Sequence, residues 1–221
     1  MPAPMTESLA RRALERSVAD RQERYEREVR RIMEATYDLI EETGTLEPSL
    51  RDILAHAGLS TQGFYRYFQS KDELMLVLLD EGRRRLLEYL TRRMQAERSP
   101  REKVGAWIAG VLAQASEPHA AARSRPFVAN EDRLAQLFPA EQQASVDMLV
   151  DPLFRALSEA VVDSDGPGQV RRDAEAIFRL TFATLQVHLI RGTRPTPESV
   201  EQLTRFCLRG AGVGTGAEEA A

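Results

Sequence analysis

The sequence predicts an all-α protein. Apolar residues recur at helical spacing along almost the whole chain, and no segment shows the strict alternation of apolar and polar residues that is typical of a strand. Aromatic residues make up only 6% of the chain and runs of β-branched residues are few, which favours helix over sheet. With 221 residues, the chain is long enough to bury a sizeable core.

Residues 1–24 are predicted to form an N-terminal extension rich in Arg and Glu. Acidic and basic residues four positions apart, such as Glu23 and Arg27, favour a solvated helix. A frayed, flexible arm is the alternative. Either way, the first packed domain is expected to begin after residue 24.

Residues 25–75 are predicted to form a compact domain of short helices. An apolar stripe that includes Val29, Ile32 and Ile40 predicts its first helix. This helix is expected to end at Gly44, because glycine suits the left-handed position that follows a helix.

Two short helices follow in the same domain. Ser49 is placed to cap the first, and Ser60 is placed to cap the second, whose Phe64 and Phe68 are expected in the core. Two short helices joined by a tight turn, here residues 57–60, are typical of a helix-turn-helix. The pattern alone also fits an ordinary helical domain.

Residues 76–209 are predicted to form a second, larger helical domain. It begins along a helix predicted from Lys71 to about Glu97, which ends before Ser99-Pro100. The remaining segments are helices at residues 101–116, 127–137, 140–162, 169–191 and 197–209, a stretch containing Pro and Arg at 118–126, a loop at 163–168 and a disordered tail at 210–221.

The charge balance restricts the class of partner. A formal net charge of −4 argues against a generally basic, nucleic-acid-coating protein. Residues 49–71, however, carry Arg51, Arg66 and Lys71 against the single acidic residue Asp52. The sequence therefore retains a small basic surface at the predicted helix-turn-helix.

Other classes of protein find no support in the sequence. The longest apolar run, residues 74–79, is far short of the ~20 residues that cross a bilayer, so a cytoplasmic protein without a membrane partner is expected. The histidines His56, His119 and His188 lie far apart, and we predict no metal site, no catalytic residue and no cofactor. The single cysteine, Cys207, is expected to be a small buried residue, with an oxidation-sensitive thiol as the alternative.

Residues 32–79 contain IMEATYDLIEETG followed by SLRDILAHAGLSTQGFYRYFQSKDELM, and this segment resembles the N-terminal signature of the TetR family. The positions that carry the resemblance are Gly44, Ala57, Gly58, Ser60, Gly63, Tyr65, Phe68, Lys71 and Leu74. Two positions depart from it, since Pro48 precedes Ser49 where the family often has Thr-Thr and Tyr67 replaces a common His.

The resemblance implies that the helix-turn-helix reads a double-stranded DNA operator. Thr61 and Gln62 would face base edges, and Gly63 would let the helix lie close to the DNA. The residues expected to contact the DNA backbone are Ser49, Ser60, Tyr65, Arg66, Tyr67 and Lys71. For the Arg-rich extension, a solvated helix is favoured over a minor-groove arm built from Arg11, Arg12, Arg16, Arg21 and Arg24.

The resemblance also implies a homodimer, formed by the last two helices, and a small-molecule effector bound by the C-terminal domain. A largely apolar effector is expected to release a repressor from a palindromic operator, with the helix that begins at Lys71 as the lever; activation stays open. Apolar residues that are candidates to line the pocket, with core packing as the default for each, are Trp107, Phe127, Met148, Phe154, Phe178 and Phe182, together with His188.

Two other classes of function remain as alternatives. An all-helical enzyme would need a convergent set of titratable side chains, which the sequence does not offer. A helical adaptor that binds only protein would show no salt-sensitive binding to DNA.

Overall fold

The computed structural model describes residues 9–45, 47–161 and 166–214. All regular structure in these ranges is helical, which confirms the predicted all-α class. The helices are α1 Leu9–Thr43, α2 Leu50–Ala57, α3 Thr61–Phe64, α4 Lys71–Gln95, α5 Pro100–Ala113, α6 Pro118–Ala129, α7 Glu131–Leu137, α8 Pro139–Ala160, α9 Pro167–Arg191 and α10 Pro197–Gly210.

The chain divides into two compact units, Met1–Leu74 and Met75–Ala221. The division falls inside α4, one residue from the boundary expected after residue 75. The predicted extension is not a separate element where it is described, because α1 runs without interruption from Leu9 to Thr43. Residues 1–8 lie outside the described residues.

The N-terminal unit is built on the packing of α1 against α2. Ile32 and Ile40 of the predicted stripe are buried, as are Ile53 of α2 and Phe64 of α3. The backbone after α1 adopts the left-handed conformation at Gly44, where φ is +64°. The predicted end of the first core helix is therefore confirmed.

The C-terminal unit has α5 at its centre, in contact with α8, α9 and α10. Trp107 of α5 is fully buried, and its indole Nε1 donates a hydrogen bond to the Leu149 carbonyl of α8 at 3.2 Å. Cys207 is buried in the same core, and burial raises the pKa of its thiol to about 11. At neutral pH this side chain is a protonated, apolar packing residue, which gives the oxidation-sensitive alternative no support.

One predicted interruption is wrong, because residues 118–126 belong to helix α6. Pro118 lies in the first turn, where the missing backbone N–H costs no hydrogen bond. Pro126 lies near the end of the helix, and the side-chain amide of Asn130 donates to its carbonyl at 2.8 Å. The helix therefore ends at Ala129, and α7 begins only at Glu131.

The predicted disordered tail is wrong for its first residues. Ala211 and Val213 are buried in the C-terminal core. The guanidinium of Arg101 donates to the carbonyl of Gly214 at 2.5 Å, which ties the end of this segment to α5. Residues 215–221 of the predicted tail and residues 163–165 of the predicted loop lie outside the described residues.

Candidate functional site

The helix-turn-helix is held by two serine caps, both as predicted. The Ser49 hydroxyl oxygen accepts a hydrogen bond from the Asp52 N–H at 3.2 Å, and the Ser60 hydroxyl oxygen accepts one from the Gly63 N–H at 3.1 Å. Between the helices, Gly58 adopts a φ of +62°, the left-handed region that favours glycine. Local chemistry thus determines where α2 ends and where α3 begins.

Helix α3 presents a polar face to solvent. Thr61 and Gln62 are exposed in its first turn, and Tyr65, directly after it, is 55% exposed. On the opposite side, Phe64 and Phe68 are buried and stack with ring centroids 5.3 Å apart. The two phenylalanines therefore anchor the short helix, while its other side chains remain available for contacts.

Gly63 is buried in the middle of α3, yet the packing of the unit does not require a glycine there. A Cβ atom added at this position would meet only two side-chain atoms within 4 Å, the Ser60 hydroxyl oxygen at 3.4 Å and a Leu59 methyl at 3.9 Å. Its backbone also lies outside the left-handed region.

Tyr67 has a different environment from the one expected for a side chain that contacts DNA. Its hydroxyl donates a hydrogen bond to a carboxylate oxygen of Glu28 on α1, and its ring lies edge-on to Tyr25 at 4.8 Å. The hydrogen bond to Glu28, followed by burial, raises the pKa of Tyr67 above its ordinary value. Because the hydroxyl proton already has an acceptor, this side chain joins the segment after α3 to α1.

Replacing Tyr67 with Phe is expected to destabilise the protein by about 0.5–1.5 kcal/mol, because the hydrogen bond to Glu28 is lost. Urea denaturation followed by circular dichroism measures this change. Tyr65→Phe is the matched control, because its exposed hydroxyl makes no hydrogen bond within the described residues and its removal should leave the midpoint unchanged. Equal midpoints for both variants would mean that the Glu28 contact does not contribute to stability.

Lys71 begins α4 and is already paired. Its ammonium nitrogen lies 3.4 Å from a carboxylate oxygen of Glu47, in the segment that leads into α2. The Lys71 side chain is mostly buried, whereas Glu47 is largely exposed. A phosphate at this position would compete with the Glu47 carboxylate for Lys71. Ion pairs with an exposed partner contribute little free energy in water, so the competition favours the phosphate.

The seven residues predicted to line a ligand pocket have different surroundings within the described residues. Trp107, Phe178 and Phe182 form an aromatic cluster, in which the rings of Phe178 and Phe182 stack at 4.4 Å. Phe127 is buried as well, the guanidinium of Arg171 lies over the ring of Phe154 at 5.7 Å, and His188 Nδ1 lies 2.9 Å from the Thr193 hydroxyl. Core packing is the default that the sequence predicts for each of these residues, and the aromatic cluster and Phe127 fit that default.

A groove of about 790 Å³ instead lies between α4, α5 and α8 of the C-terminal unit. Met148 is the one member of the predicted set among its lining residues. Its apolar lining includes Leu87, Met94, Pro152 and Ala156, and its charged lining residues are Lys103, Asp147, Asp151, Arg155 and Glu159. The sequence offered no means of finding this combination, since it depends on which faces of three helices meet.

The described ranges contain neither a candidate metal site nor a candidate membrane span. There, no three side chains of His, Cys, Asp or Glu are grouped so that they would hold a metal ion. None of the described helices has the length and hydropathy of a membrane span.

The family model for the bacterial regulatory proteins of the tetR family matches residues 32–78, which include both caps and the exposed face of α3. Residues 32–78 therefore carry the DNA-binding segment of the TetR family. Members of this family are DNA-binding transcriptional regulators rather than enzymes. The resemblance of residues 32–79 is thereby confirmed.

Solved structures extend the TetR-type fold over most of the chain. RolR, solved in complex with resorcinol, is 16% identical with a TM-score of 0.62 and covers 90% of this chain and 93% of its own. FadR from Bacillus subtilis, in complex with stearoyl-CoA, is 17% identical with a TM-score of 0.59 over 84% and 98% of the two chains. A putative TetR-family regulator from Mesorhizobium loti is 17% identical with a TM-score of 0.59 over 85% and 96%. No curated protein sequence matches the chain significantly.

Proposed function

We propose that this TetR-family chain is a homodimeric repressor that binds a palindromic operator and is released from it by a small molecule. The observation that carries the proposal is the exposed polar face of α3, which two caps and two buried phenylalanines hold in place. A helix presented in this way suits the major groove of DNA.

The proposed roles within the N-terminal unit follow from exposure and position. Thr61 and Gln62 read base edges, and Gly63 allows the close approach of α3, since packing within the chain gives no other reason for a glycine. Tyr67 holds α3 in position through Glu28 rather than donating to a phosphate. The backbone contacts are proposed for Ser49, Ser60, Tyr65, Arg66 and Lys71.

The test is a titration of the purified protein with duplex DNA from the region upstream of its own gene, at 50 mM and 200 mM salt. A protein that makes six to ten phosphate contacts should lose roughly 10³- to 10⁵-fold in affinity between these concentrations. Protection of a palindrome with half-sites ~34–36 Å apart would fit two copies of α3. No binding at low salt would contradict the proposal.

The DNA-binding surface is proposed to continue onto α1. Glu28, which accepts from Tyr67, marks the face of α1 that turns toward the segment after α3. Arg24 and Arg21 precede Glu28 by four and seven residues, so they lie on the same face, about 6 and 10 Å further along the helix axis. Neither forms an ion pair or hydrogen bond within the described residues. They are therefore placed to bind phosphates beside the site read by α3, in a helix rather than in a flexible arm.

Replacing Arg21 and Arg24 together with Gln is expected to lower the slope of log affinity against log salt by about 1.8, because two phosphate contacts are lost. The control is Arg27→Gln, since Arg27 points elsewhere and pairs with Glu23 at 3.3 Å. The same titrations measure both variants. If the two variants have the same slope, α1 does not contribute these contacts.

The small-molecule effector is proposed to bind within the C-terminal unit, where the groove between α4, α5 and α8 offers a largely apolar lining. RolR and FadR were each solved with a small molecule bound, which supports this assignment for a chain of the same fold. A ligand releases DNA only by its difference in affinity for two conformations of the dimer. Helix α4 is the proposed lever, because its first residues belong to one unit and the rest to the other.

A further inference from the structure

An arginine is buried where α4 meets α8. Arg83 is only 8% exposed, and its guanidinium Nη1 donates to the side-chain oxygen of Gln142 at 2.5 Å. Burial lowers the pKa of Arg83, although Glu131 and Asp80 act in the opposite direction. In the described part of the chain this cation forms no ion pair. Buried charges in proteins are normally paired, so an anion would supply the partner that this guanidinium lacks in the described residues.

Two more polar groups beside this arginine have no partner in the described residues. They are the amide nitrogen of Gln142 and the hydroxyl of Ser145, in side chains that are 6% and 5% exposed. Buried polar atoms without a hydrogen bond are costly and rare. Three donors, one of them charged, are therefore close along the chain or in contact, since Arg83 contacts Gln142 and Ser145 lies three residues after Gln142 on α8.

The three residues, Arg83, Gln142 and Ser145, do not line the groove themselves, but each lies within about one helical turn of a residue that does. Arg83 is one helical turn before Leu87, the first groove residue of α4. Ser145 directly follows Ala144, the first groove residue of α8. The polar cluster therefore adjoins, along α4 and α8, a groove whose lining includes apolar side chains.

We propose that Arg83, Gln142 and Ser145 bind the carboxylate of a monocarboxylate effector, whose apolar part lies in the groove between α4, α5 and α8. A guanidinium binds a carboxylate through two parallel hydrogen bonds, and the amide and hydroxyl supply further donors. A single buried cation matches the single charge of a carboxylate, whereas a phosphate brings a second charge at about pH 7. This inference rests on the proposed function, because it names the chemical class of the effector.

The test compares head groups on a constant apolar part. Benzoate, octanoate and dodecanoate are titrated into the full chain beside benzyl alcohol, octanol, dodecanol and octyl phosphate, with thermal unfolding and calorimetry as readouts. At least one carboxylate should bind and raise the melting temperature, and its alcohol should not. Binding of the alcohol equal to that of the carboxylate, stronger binding of octyl phosphate, or binding of none of the carboxylates would overturn the proposal.

Substitutions at Arg83 and Ser145 test whether the carboxylate binds at this cluster. Arg83→Met should weaken binding of the carboxylate by roughly 10- to 100-fold, and Arg85→Met, which removes an exposed arginine of α4 paired with Glu81 at 3.0 Å, should not. Without ligand, Arg83→Met removes a buried cation that lacks an ion pair but also removes the donor to the Gln142 oxygen, so its ligand titrations are made at a temperature where its own melting curve shows it folded. Should that variant fail to fold, Ser145→Ala provides the test, and unchanged carboxylate affinity in it would contradict the assignment.

The outcomes separate this inference from the proposed function. Titration with DNA in the absence of ligand tests the regulator alone, and a negative carboxylate result leaves that titration unaffected. A carboxylate that binds through Arg83 but leaves operator affinity unchanged would support the site and contradict release of DNA by an effector.

Discussion

Replacing Val187 and Ile190 of α9 with Glu is expected to convert the proposed dimer into monomers and to weaken operator binding by roughly 10²- to 10⁴-fold. Both side chains belong to an exposed apolar stripe at heptad spacing, formed by Ala176, Leu180, Ala183, Val187 and Ile190. Ile190 is 72% exposed within the single chain, and Phe206 of neighbouring α10 is 61% exposed. Such a stripe is typical of a helix that packs against its own copy about a two-fold axis.

The effect is large because two linked half-sites bind far more tightly than one. Sedimentation velocity measures the oligomeric state, and titration with the operator measures the affinity. Leu137→Glu is the matched control, since Leu137 is an exposed apolar residue of the same unit on α7, away from the stripe. A double variant that remains dimeric and binds the operator as wild type does would place the interface elsewhere.

Replacing Thr61 and Gln62 with Ala is expected to remove the preference of the protein for its operator, with a loss of about 1–3 kcal/mol for each base contact. Both side chains are exposed in the first turn of α3, and the Ser60 cap does not depend on them. Since neither carries charge, the dependence of binding on salt should stay as in wild type.

Competition between the operator and an unrelated duplex of equal length measures this preference. Gln136→Ala on α7 combined with Gln143→Ala on α8 is the control, because both glutamines are exposed and lie outside the helix-turn-helix unit. Unchanged discrimination in the Thr61 and Gln62 variant would show that other residues read the bases. If only the slope of log affinity against log salt changed, Thr61 and Gln62 would contact DNA phosphates rather than bases.

The helix-turn-helix was predictable from the sequence because its signals are local. Ser49 and Ser60 each accept a hydrogen bond from an N–H three residues later, and Gly44 and Gly58 supply left-handed turns where the helices end. The burial of Phe64 and Phe68 was predicted as well; Phe64 is the last residue of α3, and Phe68 follows it four residues later, beyond the helix. Thr61 and Gln62 are exposed on α3 as well, and their contact with DNA stays a prediction.

The contacts that modify this prediction join residues far apart in the chain. Tyr67 meets Glu28 across 39 positions, and Arg83 meets Gln142 across 59. No local sequence pattern predicts either hydrogen bond. The sequence predicted that Tyr67 contacts the DNA backbone, whereas in the structure its hydroxyl donates to Glu28 of α1.

Taken alone, the sequence determined the fold class, most helix positions, both caps and the segment that belongs to the TetR family, because hydrogen bonds within a few residues and the periodicity of apolar side chains specify them. Only the tertiary structure decided which apolar residues line a groove and which fill the core, since Met148 and Trp107 have equally helical surroundings in sequence. It also brought the buried Arg83 of α4 into contact with Gln142 of α8. Pockets arise where faces of distant helices fail to fill the space between them, and that depends on the packing of the whole unit.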